Sequence, residues 1–71
     1  MTRLVIADRH KVDMGVVCRE LAAWLGAPVT SGLDDQQRAV FTTEVSRVAL
    51  DAAAFALLPY GGWHIPEDGG A

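Results

Sequence analysis

The sequence predicts a mainly α-helical fold: a helical hairpin with a short N-terminal β-strand, completed by dimerisation or by a partner. Three observations lead there. Residues 3–7, Arg-Leu-Val-Ile-Ala, form a short β-branched apolar run. Val17, Leu21, Trp24 and Leu25 share one face of a helical wheel. From Asp34 to Leu58 apolar residues recur at helical spacing, up to Pro59 and Gly61-Gly62.

Each element has a local reason. Arg3–Ala7 is the strand, and Asp8-Arg9-His10-Lys11 is a polar break after it. The first helix starts near Asp13, whose carboxylate caps free backbone N–H groups and complements the positive helix end. Arg19, Glu20 and Ala23 face away from its apolar side. Gly26 supplies the C-terminal stop, and Pro28 prevents continuation. Residues 29–33, Val-Thr-Ser-Gly-Leu, read as a loop. Asp34 and Asp35 open the second helix, which runs to Leu58. Phe41, Val45, Val48, Ala52 and Phe55 form its apolar stripe, widened by Ala49 and Ala56. Leu50, Ala53, Ala54, Leu57 and Leu58 cover the remaining sides of its last turns. Residues 1–62 are thus one strand-helix-helix module, and residues 63–71 a Gly-rich, partly flexible tail in which Trp63-His64-Ile65 can begin a strand.

Composition restricts function. A 71-residue chain is at most one domain, and its own core is marginal. Hydrophobic residues make up 51% of it, too many for a disordered acidic tail. The net charge of −3 disfavours a nucleic-acid binder, which needs a basic face. One cysteine permits neither an intrachain disulfide nor a Cys-rich zinc site. No apolar run reaches the ~20 residues that span a bilayer, and no signal peptide is recognisable, so the expected location is the cytoplasm.

Two segments resemble a known family. Cys18-Arg19-Glu20-Leu21-Ala22-Ala23-Trp24-Leu25-Gly26 resembles the opening helix of the anti-sigma-factor and switch serine kinases, which are histidine-kinase-like (GHKL) ATPases. Asp35-Gln36-Gln37-Arg38-Ala39-Val40-Phe41-Thr42-Thr43-Glu44-Val45-Ser46 resembles the segment leading into that family's N-box helix, and Ala49 fits the alanine of the box. After the Val-Ser pair the family places a glutamate that helps activate the nucleophile. Four residues on it places an asparagine that holds Mg²⁺ on the nucleotide phosphates. Here Arg47 and Asp51 stand at those positions. A guanidinium is no general base near neutral pH, whereas a carboxylate can still bind a hard cation. The resemblance therefore implies a truncated, non-catalytic relative, with Arg47 and Asp51 as vestigial cofactor-binding positions and no resident cofactor. Asp68-Gly69-Gly70 lies too close to Asp51 to serve as the family's adenine-contacting motif.

Other chemistry is sparse. Glu44, Arg47 and Asp51 also suit a solvated salt-bridge ladder. His10 and His64 match no zinc spacing, and no metal site is expected. Cys18 reads as a small buried hydrophobe. Ser31, Ser46, Thr42 and Thr43 form no triad with the histidines. The sequence therefore points to a non-catalytic protein–protein interaction and regulatory module in sigma-factor signalling, a homodimer or the companion of a larger protein. Leu50, Ala54, Leu57, Leu58 and Trp63 are its interface candidates, and edge-to-edge pairing of the N-terminal strands is one mode of assembly. The alternatives are a kinase-like ATP-binding fragment completed by another chain and a small strand-helix-helix DNA-binding regulator.

Overall fold

A computed structural model describes residues 1–59 and 61–66. The elements in chain order are β1 (Thr2–Ile6), α1 (Met14–Leu25), β2 (Val29–Leu33), β3 (Ala39–Thr43), α2 (Arg47–Leu57) and β4 (Trp63–His64), with a 3-10 turn at Arg9–Lys11. The strands form one antiparallel sheet in the order β2-β3-β1-β4. β1 and β2 are joined through α1, with β3 between them. β3 and β4 are joined through α2, with β1 between them. This interleaving of two β-α-β units is the split arrangement of ferredoxin-like folds. The expected helical hairpin is therefore corrected to an α/β fold of two helices on a four-stranded sheet. The Asp68-Gly69-Gly70 segment lies outside the described residues.

The correction arises between residues 29 and 46. Val29-Thr30-Ser31-Gly32-Leu33 is an edge strand rather than a loop, and Ala39-Val40-Phe41-Thr42-Thr43 is a strand rather than the start of a helix. In β3 burial alternates: Ala39, Phe41 and Thr43 are buried while Val40 and Thr42 are half-buried. That period of two, on β-branched and aromatic residues, is the signature of a strand packed on one face. Residues 34–38 join the two strands, and the Asp34–Arg38 pair encloses a loop of three residues. The Asp34 N–H donates to the Arg38 carbonyl (3.1 Å) and the Gln37 N–H to the Asp34 carbonyl (3.0 Å). Gln37 takes a left-handed conformation, φ 63°, as the last loop residue of such hairpins does.

The helix ends follow their sequence signals. The Asp13 carboxylate accepts from the Val16 N–H (3.2 Å) at the start of α1. Gly26, at φ 66°, closes α1 by donating its N–H to the Ala22 carbonyl. Helix α2 starts later than the charge pattern suggests, because Ser46 is its N-cap and accepts from the Ala49 N–H (3.2 Å). At the other end the Trp63 indole N–H donates to the Leu58 carbonyl (3.0 Å).

Both helices pack on the sheet face that carries Leu4, Ile6, Ala39 and Phe41, with Val17 and Leu21 from α1 and Leu50, Ala53, Ala54 and Leu58 completing the core. The apolar face of α2 is thus opposite to the one expected. Val48 and Phe55 are 80% and 77% exposed, whereas Leu50 and Ala54 are fully buried. Trp24, expected in the core, is 57% exposed. Leu50, Ala53 and Ala54 form one fully buried arc of α2 in the cluster with the sheet and α1, so the arc that carries the small side chains faces the core.

Two outcomes check this core. In urea denaturation Leu50→Ala costs about 2–5 kcal/mol, whereas Val48→Ala and Phe55→Ala each shift stability by no more than about 0.5 kcal/mol. Gln37→Gly relieves the left-handed strain and stabilises the fold by about 0.5–1 kcal/mol, read as a rise of a few degrees in Tm.

Candidate interaction surface

Strand β2 is one edge of the sheet, and hydrogen-bond parity fixes which of its backbone groups are free. In an antiparallel ladder, hydrogen-bonded and non-hydrogen-bonded pairs alternate. The Asp34–Arg38 bond continues the β2–β3 register, in which Leu33 faces Ala39 and Thr30 faces Thr42. The hydrogen-bonded pairs are therefore Gly32–Val40 and Thr30–Thr42. Val29, Ser31 and Leu33 direct their N–H and C=O groups outward. The side placed outward is independently marked at Val29, whose carbonyl accepts from the Cys18 thiol of α1 (3.0 Å).

This edge lacks the usual defences. Residues 29–33 contain no charged residue and no proline, two of the devices that block strand addition. Thr30, Ser31, Gly32 and Leu33 are all exposed. The opposite edge, β4, is only two residues long. The ends of β2 are held firmly. Thr43 Oγ1 donates to the Pro28 carbonyl (3.1 Å) at its start. At its end Asp34 Oδ1 accepts from the Arg38 N–H (2.8 Å) and the Gln36 N–H (2.9 Å), and Oδ2 pairs with Arg38 Nε (2.7 Å).

The sequence-derived candidates have the following places. Leu50, Ala54 and Leu58 lie inside the chain's own core and Leu57 is half-buried against it, so these side chains are already covered. Trp63 is half-buried on the same cluster. Its pairing opposite Ile6 extends the sheet into the segment expected as tail. Arg47 and Asp51 are both exposed on α2, and Arg47 Nη1 donates to the Pro66 carbonyl (3.3 Å). His10 and His64 are exposed, in different elements. Among the described residues no group of three or more His, Cys, Asp or Glu side chains is placed to hold a metal ion, and no helix is long and apolar enough to cross a membrane. The expected pairing of N-terminal strands is corrected as well: β1 is internal, bonded to β3 on one side and β4 on the other.

A depression of about 440 Å³ borders Pro28, Thr42 and Val45. Of the hydroxyls that line it, that of Thr43 donates to the Pro28 carbonyl (3.1 Å) and that of Thr30 to the Thr42 carbonyl (3.5 Å). A second hollow, of about 430 Å³, lies beside Asp8 and Gly62, whose groups bond His10 and Ala7. The free edge is the feature with unspent bonding capacity, and Val29, Ser31 and Leu33 are the residues that sequence reasoning missed. The signal was the β-branched pair Val29-Thr30 facing Val40–Thr43 across a polar interval that opens with aspartate.

The sequence matches no family model, and neither a curated protein nor a solved structure shows significant similarity to the chain.

The hairpin clamp has a pH signature. The Arg38 backbone N–H holds the Asp34 carboxyl below its ordinary range, and the Arg38 guanidinium and the Gln36 N–H act in the same direction against partial desolvation. A depressed folded pKa contributes stability that is present above the unfolded value, about 3.9, and is lost as pH falls through the folded value. The Tm advantage of the native chain over Asp34→Asn is therefore largest near neutral pH and shrinks on acidification below about pH 4, as thermal melts across that range would show.

Proposed function

We propose that this chain is a non-catalytic protein–protein interaction module that assembles by adding a strand to the free edge of β2. The supporting observation is the unpaired, uncharged backbone at Ser31 and Leu33, held straight by the Asp34 clamp and the Thr43–Pro28 bond. Strand addition draws its affinity from main-chain hydrogen bonds and its selectivity from alternate side chains. The regulatory setting, signalling around sigma factors, rests on the family resemblance of Cys18–Gly26 and Asp35–Ser46 alone.

Amide hydrogen exchange tests this reading. In dilute solution the Ser31 and Leu33 amides exchange readily, while those of Thr30 and Gly32, bonded to β3, are protected. On association with a protein, Ser31 and Leu33 acquire protection. Association that leaves both amides unprotected defeats the reading.

A further inference from the structure

We propose that the occupant of the β2 edge is a second copy of this chain, paired antiparallel about a two-fold axis at Ser31 into a continuous eight-stranded sheet. This rests on the edge-addition reading and names its partner. The parity is self-complementary. With Ser31 opposite its own copy, Val29 faces Leu33 of the second molecule and Leu33 faces Val29. All three residues direct their backbone groups outward, so the Val29–Leu33, Ser31–Ser31 and Leu33–Val29 pairs are of the hydrogen-bonded type and alternate with the non-hydrogen-bonded Thr30–Gly32 pairs. A two-fold axis needs this kind of self-match, in which one patch serves both copies.

The side chains fit the same register. Val29, Ser31 and Leu33 align with Thr43, Phe41 and Ala39 on the helix-bearing face. Leu33, 43% exposed in the single chain, would pack across the seam against Val29 of the copy. On the other face Thr30 meets Gly32, which has no side chain to obstruct it. Each chain carries a net charge of −3, yet the seam itself is uncharged, and the acidic residue that follows it, Asp34, is paired with Arg38.

The helical layer accommodates the second molecule. Strands are spaced about 4.8 Å apart and packed helices about 8–10 Å, so each helix needs the width of two strands. Four strands carry two helices in one chain, and eight would carry four, at unchanged spacing. Helix α1 would then meet its copy along the side marked by Cys18. Gly15 and Ala22 share that side by helical spacing and leave room for contact.

Light scattering and site-directed crosslinking test the pairing. The native chain is expected to be dimeric. Ser31→Pro removes an outward N–H that is not one of the β2–β3 hydrogen bonds, a position at which an edge strand accepts proline. Leu33→Lys places a charge on the seam. Each is expected to raise the dimer Kd by about tenfold or more while retaining the circular dichroism of the native fold. In a Cys18→Ala background, Ser31→Cys should form a disulfide-linked dimer under mild oxidation, because a residue on the axis faces itself. Leu33→Cys, which faces Val29, should not. A dimer that crosslinks through Leu33→Cys instead, or that survives both seam substitutions, overturns the register. A chain that stays monomeric to about 1 mM overturns self-pairing. The edge-addition reading then stands if another protein protects the Ser31 and Leu33 amides, and falls with self-pairing if associating proteins leave them exposed.

Discussion

The architecture depends on one turn. Asp34 collects the backbone N–H groups of Gln36 and Arg38 on one carboxylate oxygen and the Arg38 guanidinium on the other, and so reverses the chain where a helix would otherwise run on. Once the chain reverses there, Ala39–Thr43 lies beside β2 and then beside β1. Leu4, Ile6, Ala39 and Phe41 become a single apolar floor. That floor selects which side of α2 is buried. If residues 34–43 were helical instead, β1 would lose one of its two neighbours, and the Leu50 face would lose the Ala39 and Phe41 part of its cover.

Local signals were legible in the sequence and the tertiary choice was not. Asp13, Gly26 and Pro28 mark the limits of α1, and the run at 3–7 marks β1, because caps and β-branched runs act over a few residues. The segment 34–58 misled because its apolar residues satisfy two periods. Phe41, Val45 and Val48 have helical spacing, whereas Ala39, Phe41 and Thr43 have the spacing of two that the sheet uses. No glycine marks the hairpin, since Gln37 occupies the left-handed position itself. In α2 both arcs are apolar, so the wheel cannot say which is inside. The choice falls to the arc that includes Ala53 and Ala54, whose small side chains fit between Leu50, α1 and the sheet. This is propensity and pattern yielding to packing.

The same reversal changes where unsatisfied surface is found. A short chain that is 51% hydrophobic seemed to need a partner for the second half of its long helix. The sheet supplies that cover from within the chain, over Leu50, Ala54 and Leu58. What remains outside is of two kinds. Trp24 on α1 and the short Val48–Ala52–Phe55 stripe on α2 are exposed apolar side chains on helix surfaces, and exposed apolar atoms are ordinary on a protein surface. The β2 edge is different, because its unmet demand is for directed hydrogen bonds rather than for area. A hydrogen-bonding edge specifies the direction and register of what joins it, and an apolar side chain does not.

The turn and the edge are one device seen from two sides. The Asp34–Arg38 bond sets the parity of the β2–β3 ladder, and that parity decides that Ser31 and Leu33, rather than Thr30 and Gly32, present their amides to solvent. A shift of one residue in this register would turn the other set outward and carry the side chains of β2 to the opposite face. Leu33 would then leave the helix-bearing side, and the apolar match between Leu33 and Val29 across a seam would be lost. The backbone pair that closes the hairpin, which the Asp34 carboxylate braces, therefore also determines the surface through which the sheet can grow.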